Sequence, residues 1–174
     1  MLRTAPPFAE LLADCQRSAV HLEMRDHYDD PDEAPRVAAW KAGQRHDPDD
    51  RASWWRPWLD MVAETVARGV VIRRARVVSE PVSEYTRYLY DGTFTNISAG
   101  EDIRWLPRRR TSDLALPGND FWVFDDRLVR FGYFSGEGVY LGDEVDDDLA
   151  VVKLCASAFD AVWDRATPHE KYEI

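Results

Sequence analysis

The segment Val70–Tyr90, VVIRRARVVSEPVSEYTRYLY, constrains the fold of this chain more than any other. Two valine pairs, Val70-Val71 and Val77-Val78, bracket Arg73, Arg74 and Arg76, so β-branched residues impose a strand whose period of two sends arginines to both faces. Some of these guanidiniums must therefore point into the interior. Pro81 fits the first turn of a following helix, where its missing N–H costs nothing, with Ser79 or Glu80 as the cap. Ser83, Glu84, Arg87 and Tyr88 then fall on successive turns near the strand's C-terminal end, where open α/β sheets bind ligands. The same pattern also reads as a solvated basic strand edge beside an amphipathic helix.

Around this segment the charge is uneven. The chain of 174 residues has a formal net charge of −10, which argues against direct nucleic-acid binding. Residues 68–110 carry 9 basic and 5 acidic groups, whereas residues 1–67 carry 8 and 13 and residues 111–174 carry 5 and 14. This basic island either attracts an anionic ligand or pairs with the acidic segments within the fold. A hydrophobic content of 45% with seven Trp excludes a disordered chain. Cys15 and Cys155 are not in a CxxC pair and read as buried thiols, and no signal-length or membrane-length apolar run is visible. The expectation is a cytoplasmic protein without a membrane partner.

In chain order, Phe8, Leu11, Leu12, Cys15 and Val20 mark a first helix after Pro6-Pro7, running to about Ser18 or beyond. HLEMRDHY alternates well enough to be a strand or a helix end. Pro35–Ala42 reads as a short helix closed by Gly43. Residues 1–50 are thus expected to be an N-terminal helical extension, and residues 51–174 a mixed α/β domain within one compact unit. In that domain Trp55, Trp58, Leu59, Val62 and Val66 share a helical face that ends at Gly69. DIRWLP is a short strand, and FWVFDD, RLVRFGYF and VYLGDEV read as an antiparallel meander that turns at Asp125-Asp126. The acidic run 146–148 caps a last helix whose core face holds Leu149, Val152, Cys155, Phe159, Val162 and Trp163. The fold class is α/β or α+β, a mixed sheet covered by helices.

Sequence signatures of known chemistry are few. The chain has no G-x-S-x-G, P-loop or G-x-G-x-x-G. His21-x-Glu23 and His27-x-Asp29 are possible metal pairs but lack converging partners, so no metal and no cofactor is expected. Asp125-Asp126 is a carboxylate pair, yet two aspartates between apolar strands are more commonly turn formers.

Two resemblances rest on these residues. Almost the whole chain resembles an actinobacterial family of uncharacterised domains through Arg76-Val77-Val78-Ser79-Glu80-Pro81 with Ser83, Tyr85 and Arg87; Asn96 with Ala99-Gly100-Glu101; and Asp120-Phe121-Trp122-Val123-Phe124-Asp125-Asp126. That resemblance implies a regulatory protein encoded beside helix-turn-helix regulators of the xenobiotic-response type and small partner proteins. Residues 55–168 also resemble a degenerate phospholipase D-like domain. Phospholipase D enzymes use H-x-K-x4-D, with a histidine nucleophile. Placing Asp125 or Asp126 at the aspartate puts Gly118 or Asn119 at the histidine, so no nucleophile remains in either register.

The leading expectation is a non-catalytic regulatory protein that acts with a helix-turn-helix regulator or small partner, and that binds this partner or a small anionic ligand. Its binding residues would be Arg74, Arg76, Ser79, Glu80, Ser83, Tyr85, Arg87, Asn96, Glu101, Trp122 and Asp125. Arg76, Glu80 and Arg87 are expected to cluster with Glu101. The alternative is a phosphodiester- or nucleotide-directed enzyme, a toxin among its forms, that uses the same Arg, Glu and Tyr side chains.

Overall fold

The computed structural model describes residues 2–174. Its first half contains β1 (Arg3–Thr4), α1 (Phe8–Asp14), β2 (Ser18–Glu23), α2 (Ala34–Lys41), α3 (Arg51–Trp54), α4 (Pro57–Ala67) and β3 (Val71–Val78). The second half contains α5 (Glu84–Ser98), β4 (Asp102–Pro107), β5 (Asp120–Phe124), β6 (Leu128–Phe134), β7 (Tyr140–Asp146), α6 (Leu149–Arg165) and β8 (Thr167–Pro168). A single sheet orders its eight strands β1-β7-β6-β5-β2-β3-β4-β8. β2, β3 and β4 are parallel because helices connect them, whereas β5, β6 and β7 form the expected antiparallel meander.

The two sheet faces differ because side chains alternate along each strand. Val20 and Leu22 of β2, Ala75 and Val77 of β3, and Phe121 and Val123 of β5 pack under Val152, Phe159 and Val162 of α6. On the opposite face Ala19, Ile72 and Phe124 pack under Leu11, Leu12, Leu59 and Val62 of α1 and α4. Burying each large apolar side chain contributes about 1.5–3 kcal/mol. The helical cover of this second face is partial, and the uncovered part becomes the site described below.

Local chemistry sets the element ends. Pro57 begins α4, and Gly69 at φ 91° ends it two residues before β3. The Ser83 side chain caps α5 by accepting from the Thr86 N–H at 3.0 Å, and Asp148 caps α6 by accepting from the Ala150 N–H at 2.8 Å. Asp125 and Asp126 have φ of 53° and 55°, the left-handed central pair of a turn in which the Arg127 N–H donates to the Phe124 carbonyl at 3.0 Å, between β5 and β6. Gly100 is constrained twice: its φ is 102°, and a Cβ there would lie 3.0 Å from a Val66 methyl.

Several sequence expectations need correction. The stretch 1–50 is not a helical extension, because β2 lies in the middle of the sheet between β5 and β3. α1 stops at Asp14, and Val20 belongs to β2, whose apolar residues alternate with His21 and Glu23. Pro81 is not in the first turn of α5; it follows a cis peptide from Glu80, and Ser83 caps the helix that starts at Glu84. Ser79 does not cap the helix; Asp26 accepts both its N–H and its hydroxyl, at 2.7 and 2.6 Å. Trp55 lies outside α4, ahead of Pro57, and Leu149 is 80% exposed at the start of α6 instead of in its core face.

Candidate functional site

Strand register assembles the site. On the sheet face away from α6, Arg130 of β6 is paired with Trp122 of β5, Trp122 with His21 of β2, and His21 with Arg74 of β3. The next row along contains Glu23 beside Arg76. Alternation places these polar side chains on a face whose neighbouring positions are covered by helices, so each buried charge needs a partner.

Most of them have one. The Arg74 Nε donates to Glu101 Oε1 at 2.6 Å, and a terminal nitrogen of Arg74 donates to Glu23. The Arg76 Nε donates to Glu23 Oε2 at 2.6 Å, and its Nη1 donates to Thr93 Oγ1 at 2.8 Å. Asn96 donates to the other Glu101 oxygen at 2.8 Å, and Arg56 donates to Thr95 and Asn96 at 3.2 and 3.3 Å. Burial opposes the charge of Glu23, but Arg74 and Arg76 outweigh it and hold that carboxyl well below its usual range. Burial also opposes the charge of Arg74, and Glu101 and Glu23 reverse the effect, so its guanidinium stays charged.

His21 is different. Its ring stacks on Trp122 with centroids 4.3 Å apart, and its buried Nδ1 has no hydrogen-bond partner, although Glu23 Oε1 lies 3.6 Å away. Burial and the nearby Arg74 push its pKa well below the ordinary imidazole value, so the ring is neutral at pH 7. Asp120, two residues from Trp122 along β5, accepts from the Met24 N–H at 2.8 Å and from the Tyr28 hydroxyl. Burial raises its carboxyl to about 6.

These residues line a cleft of about 1560 Å³ between the sheet and the segment carrying α2 to α5. Its walls are aromatic: Trp58, Trp122 and Phe8 meet on one side, with Phe8 and Trp122 rings 4.9 Å apart, and Tyr85 and Tyr88 stand on another at 5.8 Å. No group of three or more His, Cys, Asp or Glu among the described residues is placed to hold a metal ion. No helix among them is long and apolar enough to cross a membrane.

Of the residues singled out in the sequence, Arg74, Arg76, Tyr85, Asn96 and Trp122 line this cleft, and Glu101 lies beneath it. The others lie elsewhere. Ser79 and Ser83 are bound to Asp26 and the α5 cap, and Glu80 accepts from Tyr172 at 3.0 Å. Arg87 is exposed, so the expected cluster of Arg76, Glu80, Arg87 and Glu101 does not form. Strand periodicity puts Arg74 and Arg76 on one face, where Glu23 offers one carboxylate oxygen to each. Asp125 accepts from the backbone N–H groups of Gln16, Arg17 and Ser18 at 2.9, 2.7 and 3.0 Å, where the chain enters β2. His169 is also engaged away from the cleft lining, where it accepts from the Trp105 indole at 3.1 Å. Sequence reading overlooked His21, Glu23, Arg56, Asp120 and Arg130 as members of one site. The alternation His21-x-Glu23 was the available signal for β2; Arg56 carried none.

Comparisons with known proteins fit this architecture. The chain is similar to Nuc, a phospholipase D family member from Salmonella typhimurium, with a TM-score of 0.52 at 9% identity over 97% of each chain. It is also similar to NucT from Helicobacter pylori, with a TM-score of 0.49 at 10% identity over 97% of each chain. A further similarity is to TrmBL2, an archaeal chromatin protein described with a novel mode of DNA binding, with a TM-score of 0.48 at 17% identity over 92% of this chain. The present chain spans about half the length of that protein, 49%. At these identities only the fold carries over, and the Nuc match assigns a distant phospholipase D-like fold. No curated protein matches the chain. A family model does match, over residues 6–174, and the chain accordingly belongs to the DUF6879 family, a domain of unknown function.

Proposed function

We propose that the cleft is a phosphodiester- or nucleotide-directed active site in which His21 is the reactive group. The observation that carries this reading is the neutral His21 imidazole, stacked on Trp122, with its Nδ1 3.6 Å from a carboxylate oxygen of Glu23. A neutral imidazole is competent as a nucleophile, and a carboxylate behind it stabilises the imidazolium charge that develops. In this step the far ring nitrogen forms a bond to phosphorus and the P–O bond to the leaving group breaks. The departing oxygen takes a proton from water in the open cleft. A second water then hydrolyses the phosphohistidine and restores the ring. Arg74 and Arg130, which flank His21 and Trp122 in the strand register, supply positive potential to the equatorial oxygens. The sequence expectation of no turnover rested on Gly118 and Asn119; of the four histidines that could fold back over the site it favoured His169, which instead accepts from the Trp105 indole.

A second reading is binding without turnover, of a partner protein such as a helix-turn-helix regulator or of a small anionic ligand, and one sequence feature favours the absence of turnover. In the H-x-K-x4-D spacing His21 is followed by Glu23 and Tyr28, so a carboxylate stands where phospholipase D enzymes use a lysine.

The test incubates the protein with an aryl phosphodiester and with single-stranded DNA and RNA, with and without Mg²⁺ or Mn²⁺. Turnover lost in His21→Asn, with an acid-labile phosphate adduct on wild-type His21, supports the enzyme. Absence of both turnover and adduct in the folded wild-type protein refutes it and favours the binding module, for which co-purification from the native host is the next measurement.

A further inference from the structure

The hydrogen-bonded network under the cleft does not balance its charge. It runs from Arg56 through Asn96, Glu101, Arg74 and Glu23 to Arg76. Three guanidiniums thus share two carboxylates, each of which is already bound to an arginine. The excess falls on Arg56, whose acceptors are the neutral Thr95 and Asn96 oxygens at the long distances of 3.2 and 3.3 Å. Among the described residues no carboxylate lies within ion-pair distance of Arg56. Glu33 acts on it from farther away, but that carboxylate is held by the Tyr85 hydroxyl at 2.5 Å and lies 3.7 Å from Arg36.

The surroundings add positive charge. Arg36 is close enough to Arg56 to lower its pKa electrostatically, after burial, and the same two arginines, after burial, lower that of His46. Arg36, His46, Arg56, Tyr88, Thr95 and Asn96 all line the cleft. At Arg56, a half-buried guanidinium with only neutral acceptors, a bound anion recovers Coulomb energy without breaking an ion pair; at Arg36 it competes with Glu33, 3.7 Å away.

We propose that Arg56, with Arg36 beside it, forms an anion subsite for a terminal phosphate group of the cleft ligand, which makes that ligand a phosphate monoester of a planar ring, such as a nucleoside monophosphate or the end of an oligonucleotide. This rests on the reading of the cleft as a ligand site but does not require that His21 be reactive. The aromatic walls accommodate the ring by stacking, worth roughly 1–3 kcal/mol per base in single-stranded nucleic-acid sites and tolerant of base identity. Phosphate specificity is then a property of Arg56, and reaction is a property of His21.

The experiment titrates the full chain at low salt with inorganic phosphate, AMP and adenosine, followed by calorimetry. AMP is expected to bind at least about 10-fold more tightly than adenosine, the scale of one charge-assisted guanidinium–phosphate contact. Arg56→Gln should erase that preference; because calorimetry reads binding without turnover, failure of the catalytic reading and failure of the subsite are separable. Because Arg56→Gln also touches α5, a second measurement uses the wild-type protein: phenylglyoxal modification of Arg56, read by peptide mass spectrometry, should be slowed by saturating inorganic phosphate. Equal affinity for AMP and adenosine, an undiminished preference in folded Arg56→Gln, or no protection of Arg56 by phosphate would each overturn the proposal.

Discussion

Arg74 in the middle of β3 and Glu101 at the end of the α5 turn meet at 2.6 Å, and the Glu101 side chain is wholly enclosed. This pair joins the sheet to the helix that covers it, and Asn96 fixes the second Glu101 oxygen at 2.8 Å. Removing the charge of Glu101 would leave Arg74 with Glu23 as its one remaining carboxylate. Glu101→Gln is therefore expected to lower unfolding stability by roughly 3 kcal/mol, measured by urea denaturation at pH 7. A loss under about 1 kcal/mol would show that Glu23 suffices for Arg74.

Asp120 should make stability fall as pH rises. Its carboxyl is raised from an ordinary 3.8 to about 6, chiefly by burial, so the folded state binds its proton more tightly than the unfolded chain does. That contribution is fully present below the unfolded value and lost as pH rises through the folded one. The difference in melting temperature between wild type and Asp120→Asn should shift against wild type between pH 4 and pH 6. A difference independent of pH across that window would refute the shift.

Asp125 works in the opposite sense. Burial disfavours its charge, but the N–H groups of Ser18, Gln16 and Arg17 outweigh burial and hold its carboxyl at about 2. Its stabilisation is present above the ordinary 3.8 and lost as pH falls toward 2. Asp125→Asn leaves three backbone donors competing for one amide oxygen, which should cost about 1–3 kcal/mol at pH 7. Ligand affinity should stay unchanged, because Asp125 is outside the cleft lining; a matching loss of affinity would place the β5–β6 turn within the site.

Both thiols should be inert in the folded protein. Burial pushes Cys15 to about 11, with the Asp125 carboxylate adding to the effect, and pushes Cys155 to about 12. Neither forms a thiolate at pH 8. Iodoacetamide labelling followed by intact mass should show no adduct until denaturant is added, and rapid native labelling of either cysteine would contradict this.

The features legible in the sequence are those with local causes. Val70-Val71 and Val77-Val78 specify β3, Pro57 and Gly69 delimit α4, and Asp125-Asp126 mark the turn of a hairpin that forms where expected. That some arginines of β3 must be buried also follows from strand periodicity alone, and Arg74 and Arg76 are buried. The limits of such reading appear at residues 18–23. Ser18 and Val20 read as part of the first helix and residues 21–28 as either a strand or a helix end, and nothing local distinguishes a central strand from a peripheral one.

The tertiary structure decided the sheet order, and the sheet order decided the site. Placing β2 between β5 and β3 brings His21 onto Trp122 and sets Glu23 beside Arg76, 53 residues along the chain. Arg56 acquires its place because α4 and α5 pack over the same face, which no periodicity in its own neighbourhood encodes. Alternation along a strand fixes which side chains share a face, because it depends only on backbone geometry. The partner each charge finds on that face depends on long-range register between strands, and that is set by the packing of the whole sheet against its helices.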